Sequence, residues 1–449
     1  MGHFSKIFMS YDIRGIVPDE LDESVAEVIG AAFARLTGAA SIAIMHDMRT
    51  SSPLLAEGFG RGVAAQGADV IAGGLGSTDM LYYASGSLGI PGAMITASHN
   101  PPKYNGIKLC RSGAKPVGKD SGLAELQEAA ERGVPAHQGR PGTITGSDLL
   151  PGYASFLRSL VDVSGIRPLK VAVDAGNGMA GHTVPPVLAG LPVEVVPLFF
   201  ELDGTFPNHE ANPIDPANLG DLQRAVLEHG ADVGLAFDGD ADRCFVVDER
   251  ARIVSPSVLT ALIAARELAR EPGATVIHNL ITSRAVPEII TEHGGKPVRT
   301  RVGHSFIKAR MAETGAVFGG EHSGHFYFRD FWFADSGMLA ALHVLAALGT
   351  QEAPLSRLLA RYSRYIASGE INSEVSDQRA ATEAVRQAFT GRPGITMEDM
   401  DGLTVTSQDW WFNVRPSGTE PLLRLNVEAS DEPTLAALRD EVLHIVRGG

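Results

Sequence analysis

Residues Met94–Lys108, MITASHNPPKYNGIK, hold the reading that decides the fold. Ala93, Met94 and Ile95 read as the end of a buried strand, followed by small residues, Ser98 and a His-Asn-Pro-Pro stop. Pro101 and Pro102 lack amide protons and restrict the residue before each, so neither strand nor helix continues through them. The expectation is a stiff loop at a strand end that holds Ser98 and His99 on the surface. Ligand sites in open α/β sheets lie at such strand ends, which makes Ser98 a candidate nucleophile or phosphate carrier. A Ser/Asn turn without chemistry is the competing reading of this stretch alone.

The flanks alternate. Tyr11-Asp12-Ile13-Arg14-Gly15 reads as a loop with a cation and a flexible joint. A helix is expected from about Asp22, with Val25, Val28, Ile29, Ala32, Phe33 and Leu36 on one face. A strand at Ser41–Met45, a helix from the Ser51-Ser52-Pro53 cap, a strand near Val70 and a helix near Leu81 lead to the strand before Ser98. Such alternation implies an α/β layer with a parallel or mixed sheet. A helix at Leu123–Arg132 precedes the Gly/Pro-rich Val134–Gly146, a boundary. The pattern then repeats: a strand at Leu169–Val173, another at Val193–Phe199, a helix at Leu219–His229, and a strand at Ala231–Phe237. A third α/β segment runs from about Val254 to Tyr365, with helices at Val258–Arg270, Ala285–His293, Ser305–Thr314 and Gly337–Leu348. From about Ala367 the order changes to strand, helix, two strands, the loop Arg415–Pro421, strand and helix, an α+β pattern. The resulting units are 1–147, 148–252, 253–366 and 367–449.

A chain of 449 residues is too long for one core. Its 44% hydrophobic and 20% charged content is that of an ordinary globular protein. The formal net charge of −15 argues against nucleic acid and anionic membranes as partners. Anionic ligands remain compatible with it, because exposed charges are screened beyond about 8 Å. The 2 cysteines, Cys110 and Cys244, give neither a disulfide framework nor a thiolate zinc site. The N-terminal residues lack a signal-peptide core and a myristoylation pattern, and no apolar run approaches a membrane span, so the expected location is the cytoplasm.

Asp238-Gly-Asp240-Ala-Asp242-Arg243 carries the second signal. Carboxylates at i, i+2 and i+4 repel unless a cation holds them, and all-oxygen ligation suits Mg²⁺ or Ca²⁺. An EF-hand is the rival, with Glu249 at its twelfth position. However, Arg243 stands where that loop needs glycine, and the flanks read as strands. A haloacid-dehalogenase-type D-x-D is disfavoured by Asp242. The glycines of Asp174–Gly181 lack phosphate-loop spacing and read as a structural turn. Gly319-Gly-Glu321-His322-Ser323-Gly-His325 offers groups for sugar hydroxyls and proton movement. Arg415-Pro-Ser417-Gly418-Thr419-Glu-Pro421 forms a plausible nest for a phosphate that does not react.

Together, TASHNP (96–101), DGDADR (238–243), GEHSGH (320–325) and RPSGTEP (415–421) resemble, in order and over the whole chain, the α-D-phosphohexomutases, the phosphomannomutase and phosphoglucomutase family. The resemblance implies three related mixed-sheet α/β domains and a C-terminal α+β domain around a central cleft, each giving one loop. It implies a phosphoserine at Ser98 and one Mg²⁺ held by Ser98, Asp238, Asp240 and Asp242. Ser98 would hand its phosphoryl group to a hexose 1- or 6-phosphate, and the hexose 1,6-bisphosphate, also the activator, would turn around and return its other phosphate. Arg14 and Arg243 would neutralise charge, and Lys108 would be the proton acceptor, with His99, His304 and His325 as further candidates. A lysine base would need a strongly depressed pKa. Tyr11, Glu321 and Ser323 would contact the sugar, and Arg415, Ser417, Gly418 and Thr419 the distal phosphate. Leu280 departs from a lysine found in several members, with Arg284 as a possible replacement, and His322 departs from the commoner loop. The 302–337 run is most similar to phosphomannomutases, often dual with glucose phosphates. Phosphoglucosamine mutase, strict phosphoglucomutase, a metal-dependent sugar phosphatase and an inactive sugar-phosphate binder are the alternatives. Monomer and homodimer are both compatible with the sequence.

Overall fold

The structure, a computed structural model, describes residues 4–417 and 422–448, apart from the side chains of Asp120 and His304. Four sheets account for the four units. The first contains β1 (Ile13–Ile16), β2 (Ser41–His46), β3 (Asp69–Leu75), β4 (Gly92–Ile95), β5 (Tyr104–Arg111), β6 (Lys115–Pro116) and β7 (Ile144–Gly146), in the order β1-β5-β4-β2-β3-β7 with β6 on β5. Tyr11–Gly15 is thus not all loop, since Ile13–Ile16 pairs antiparallel with β5. The end of the Gly/Pro-rich boundary segment adds a parallel strand to β3.

The second sheet, β12-β11-β10-β8-β9, comprises β8 (Leu169–Asp174), β9 (Val193–Leu198), β10 (Val233–Phe237), β11 (Cys244–Asp248) and β12 (Ile253–Val254). The third, β14-β13-β15-β16-β17, comprises β13 (Thr275–Asn279), β14 (Lys296–Thr300), β15 (Phe318–Gly320), β16 (Phe326–Phe328) and β17 (Ala334–Asp335).

One topological point recurs in all three. β4 pairs parallel with β2 and antiparallel with β5, β10 parallel with β8 and antiparallel with β11, and β15 parallel with β13 and antiparallel with β16. The serine, aspartate and GEHSGH loops are therefore the same connection in three related units, the turn from the last parallel strand to the first antiparallel one. The fourth sheet, β18-β22-β21-β20-β19, is wholly antiparallel: β18 (Ile366–Glu374), β19 (Thr396–Glu398), β20 (Leu403–Thr406), β21 (Trp410–Pro416) and β22 (Leu422–Ala429). Three strands, not two, separate its first helix from the Arg415 loop.

The first three units share a core, and the fourth has its own. A continuous apolar cluster joins Met80 and Met94 to Val171, Leu235, Leu262 and Leu345, whereas Val385, Phe412, Leu425 and Val442 form a separate cluster. Helix Gly337–Gly349, apolar on every side, is buried along its whole length. Among the described residues no helix is long and apolar enough to cross a membrane.

A buried carboxylate marks where the three units meet. Asp79 accepts from Ser77, from Tyr153 Oη at 2.8 Å and from Ser336 Oγ at 2.6 Å. Burial pushes its carboxyl up to about 6 despite those three hydroxyls. Because the folded value lies above the unfolded one, its contribution to stability is full below about pH 4 and is lost as the pH rises through 6. Asp79→Asn keeps an acceptor without the charge. Relative to that variant, the wild type is expected to lose about 2–3 kcal/mol of unfolding free energy between about pH 4 and 7, measured in urea. A difference that stays constant across this window would contradict the assignment.

Candidate active site

Ser98 is buried, contrary to the expectation of a surface position: it is 5% exposed. The aspartate loop of the second unit lies over it. A Cβ on Gly239 would stand 2.4 Å from the Ser98 carbonyl oxygen, so only glycine permits this approach. Ser98 Oγ donates to Asp238 Oδ2 at 2.7 Å and lies 3.2 Å from His99 Nδ1. The Ser98 backbone is left-handed, with φ 49°, which costs a side-chain-bearing residue about 1 kcal/mol or more.

Arg49 holds this strained loop, and sequence reading missed it. The side chain is 1% exposed. It donates to the carbonyls of Ser98 at 2.7 Å, Asn100 at 2.6 Å, Tyr104 at 2.9 Å and Pro101 at 3.0 Å. Its Nε lies 3.3 Å from Asp47 Oδ2. The available signal was a charged pair, Asp47 and Arg49, just beyond the end of β2, the parallel neighbour of β4. Arg49→Met is expected to destabilise the protein by about 3–5 kcal/mol, since it leaves Asp47 buried and unpaired. A calorimetric loss below about 1 kcal/mol would show that the loop holds itself.

Asp238, Asp240 and Asp242 are buried and place one oxygen each within 4.8 Å of one another. Lys108 Nζ reaches Asp240 Oδ2 at 2.5 Å and Asp242 Oδ2 at 2.7 Å, and Thr78 Oγ1 donates to Asp240 Oδ2 at 2.6 Å. Arg243 Nε lies 2.8 Å from Asp238 Oδ2. The Oδ1 atoms of Asp240 and Asp242 are buried, with no hydrogen-bond partner among the described residues. Unsatisfied buried carboxylate oxygens beside a serine hydroxyl are the donor set of a hard divalent cation, so the residues fit a metal. Burial, then the charges of Asp240 and Asp238, raises Asp242. Burial acts the same way on Asp240, but the Lys108 charge and the hydrogen bonds from Lys108 and Thr78 outweigh it and hold Asp240 low. Burial opposes the Lys108 charge, yet the two carboxylates raise its pKa, the reverse of what a base requires. Glu249, the EF-hand twelfth position, binds Ser356 instead. The Asp174–Gly181 turn supports the loop from beneath, with Met179 N donating to Gly239 O at 2.9 Å, in keeping with a structural role.

These groups line a cavity of about 540 Å³ that includes Tyr11, Arg14, Ser98, His99, Lys108, Asp242, Arg243 and His325. Arg14 is held by Asp12 and Asn100. Burial and the Arg243 and Arg14 charges push His99 down to about 2, so its ring is neutral. Arg243 Nη2 donates to His99 Nδ1 at 2.5 Å, which puts the ring proton on Nε2. His325 Nδ1 lies 2.9 Å from Asp335 Oδ2, whose other oxygen meets the buried Lys308 at 2.6 Å. Burial opposes protonation of His325, but Asp242 and Asp335 raise its pKa.

The GEHSGH loop joins the aspartate loop through a bridge between Arg243 and His325. Glu321 is 2% exposed and already accepts from Tyr327 Oη at 2.8 Å, Gly303 N at 3.1 Å and Ser323 Oγ at 3.3 Å. Arg415 Nη2 lies 2.8 Å from Glu370 Oε2, and Ser417 is buried near it in sequence. Gly418 and Thr419 lie outside the described residues, as does the His304 side chain. Leu280 lines a separate cavity of about 720 Å³ between the third and fourth units. Arg284 does not replace a lysine in the serine cavity, because its Nη1 is bound to the Ser407 and Gln408 carbonyls at 3.3 and 2.7 Å.

Family models cover this architecture in order. The phosphoglucomutase/phosphomannomutase alpha/beta/alpha domains I, II and III match residues 5–134, 151–251 and 256–365, and the C-terminal domain matches 370–445. A phosphomannomutase of Escherichia coli (strain K12) is 38% identical over 445 residues, spanning 97% of each chain. A Xanthomonas campestris protein described as phosphohexose mutases is 41% identical, over 98% of this chain and 99% of that one. The crystal structure of a phosphoglucomutase/phosphomannomutase family protein from Burkholderia thailandensis gives a TM-score of 0.88 at 32% identity, covering 99% of this chain and 98% of that one. The chain belongs to the phosphoglucomutase/phosphomannomutase family and is an enzyme of the mutase class.

Proposed function

We propose that this enzyme interconverts mannose 1-phosphate and mannose 6-phosphate, with glucose phosphates as further substrates, in the cytoplasm. The route is a phosphoserine at Ser98 and a hexose 1,6-bisphosphate intermediate, which also serves as activator. The observation that carries this reading is Ser98 Oγ at 2.7 Å from Asp238 in one cavity with Lys108, Arg243, His99 and His325. Among the described residues no serine–histidine–carboxylate triad forms, since His99 Nδ1 accepts from Arg243, whereas Arg14, Lys108 and Arg243 line the same cavity, as phosphoryl transfer requires. A Mg²⁺ held by Ser98, Asp238, Asp240 and Asp242 supplies charge neutralisation at the transferring group when bound. The proposed division of the chain is 1–147, 148–252, 253–366 and 367–449, one loop from each unit.

In this reading Arg14 and Arg243 draw charge from the phosphoryl oxygens, and Lys108 works as a cation. His99, His304 and His325 are the groups for holding or moving the proton of the sugar hydroxyl. Tyr11, Glu321 and Ser323 orient the sugar. Arg415, Ser417, Gly418 and Thr419 hold the phosphate that does not react. Lys108→Ala is expected to lower kcat about a hundredfold or more while KM changes only a few-fold. Nearly unchanged turnover would remove Lys108 from the mechanism.

The reading is tested by coupled assays on mannose, glucose and glucosamine 1-phosphates, with and without a trace of hexose 1,6-bisphosphate. A mannose-preferring mutase makes the 6-phosphate and is stimulated by the bisphosphate. A preference for glucosamine phosphate would replace the substrate assignment, and release of inorganic phosphate would replace the reaction.

A further inference from the structure

Thr78 is fully buried at the start of helix Thr78–Leu88, 162 residues before Asp240 in the chain. It meets the aspartate loop twice. Its Oγ1 donates to Asp240 Oδ2 at 2.6 Å, and its backbone N–H donates to the Asp240 carbonyl at 3.0 Å. One residue thus fixes both the path of the loop and the rotation of the carboxylate. A β-branched side chain has few rotamers, so the hydroxyl has little freedom to follow a carboxylate that turns. Thr78 is itself clamped. Ser77 caps the helix by accepting from Met80 N at 3.4 Å, and its hydroxyl donates to Asp79. Asp79 in turn accepts from Tyr153 of the second unit at 2.8 Å and Ser336 of the third at 2.6 Å. The Thr78 hydroxyl therefore stands on a frame to which all three α/β units contribute.

The three clustered carboxylates are not held alike. Asp238 accepts from Ser98 Oγ at 2.7 Å, Arg243 Nε at 2.8 Å and Arg243 N at 3.1 Å. Asp240 accepts from Lys108 Nζ at 2.5 Å and from Thr78, both on Oδ2, while its Oδ1 has no hydrogen-bond partner among the described residues. Lys108 faces the Ser98 cavity, with its side chain 19% exposed. In the proposed reaction it serves the transferring phosphoryl group, and an ammonium that turns toward phosphate loosens its hold on Asp240. Thr78 has no such second task, because it is buried behind the loop rather than in the cavity lining. It keeps Oδ2 occupied whether or not Lys108 is engaged elsewhere.

We propose that Thr78 is a positioning residue for the metal, its hydroxyl fixing the Asp240 carboxylate so that one oxygen stays available to Mg²⁺ throughout turnover. The inference rests on the reading of Asp238, Asp240 and Asp242 as a Mg²⁺ site and of Lys108 as a cation at the transferring group. A donor behind a ligating carboxylate restricts it to one orientation, and removing such a donor weakens metal binding by about ten- to a hundredfold.

The test uses the full-length protein, Mg²⁺ titration followed by melting temperature without substrate, and steady-state kinetics with mannose 1-phosphate over a range of Mg²⁺ concentrations. Thr78→Val keeps the branched shape of the side chain and removes the hydroxyl. It is expected to raise the Kd for Mg²⁺ about tenfold or more and to lower kcat at limiting Mg²⁺, while KM for the sugar phosphate changes by less than about twofold. Excess Mg²⁺ should recover part of the lost turnover. Thr78→Ser retains the hydroxyl and should bind Mg²⁺ within about threefold of the wild type. A wild-type Mg²⁺ affinity in Thr78→Val would overturn the proposal. Equal weakening in Thr78→Ser and Thr78→Val would assign the effect to packing of the methyl group and overturn it too. If Thr78→Val does not fold, Thr78→Ala replaces it under the same criteria. Mg²⁺ titration requires no turnover, so a Thr78-dependent site in a protein that makes no hexose 6-phosphate would sustain the positioning role while the mutase reading fell. A wild-type melting temperature indifferent to Mg²⁺ would remove the metal reading and this proposal with it.

Discussion

Ser98→Ala is expected to lower mutase turnover by about four orders of magnitude or more, with phosphosugar binding changed only a few-fold. The proposal makes Ser98 Oγ the atom that carries the phosphoryl group, so no neighbour can substitute for it at the same place. His99 lies closest in sequence, but its Nδ1 accepts from Arg243 at 2.5 Å, so that nitrogen does not take the place of the serine oxygen. The fold should survive, because the Ser98 loop is held from behind by Arg49 through backbone carbonyls that the substitution leaves in place. Circular dichroism and the melting temperature provide the control. Turnover within about tenfold of the wild type would end the phosphoserine account.

Asp240→Asn is expected to be the second severe loss, of about a thousandfold in kcat, and chelation of divalent cations should reproduce it in the wild type. Crowding of like charge is the cause. Three buried carboxylates place one oxygen each within 4.8 Å of one another, and two of their oxygens have no hydrogen-bond partner among the described residues. An asparagine keeps an acceptor for Thr78 but removes one of the charges that would bind a cation. Magnesium should therefore raise the wild-type melting temperature, by an amount set by RT ln(1 + [Mg²⁺]/Kd), and should not raise that of Asp240→Asn. Full activity after chelation, with no dependence on added metal, would contradict the metal assignment.

Much of this site was legible in the sequence because its parts are local. Pro101 and Pro102 announce the loop after β4, the three aspartates announce a cation, and Arg243 at the sixth position with strand-like flanks argues against an EF-hand without any structure. What was not legible is long-range. The burial of Ser98 comes from a loop 140 residues away, where Gly239 lets the chain pass against the Ser98 carbonyl. Arg49 acts by reaching Pro101 and Tyr104, 52 and 55 residues on, and nothing in its own surroundings indicates that reach. Strand direction leaves no trace in hydrophobic alternation, so the shared turn between parallel and antiparallel strands, which explains why three units present their loops alike, emerges only in the sheets. Short strands also escaped notice. Ile13–Ile16 contains Gly15, and Thr396–Glu398 is 3 residues long, too few for a period-two pattern to register. The departure at Leu280 was visible, but its meaning was not, because the commitment of Arg284 to Ser407 and Gln408 depends on how the fourth unit docks.

The central claim is that active protein carries phosphate on Ser98 and exchanges it with the sugar. Peptide mass spectrometry of the purified enzyme, before and after a chase with mannose 1-phosphate, tests it directly. The account predicts phosphate on the peptide containing Ser98, loss of that phosphate in step with formation of hexose 1,6-bisphosphate, and full activity only in the phosphorylated fraction. Full activity with Ser98 unmodified throughout, and no stimulation by the bisphosphate, would contradict it.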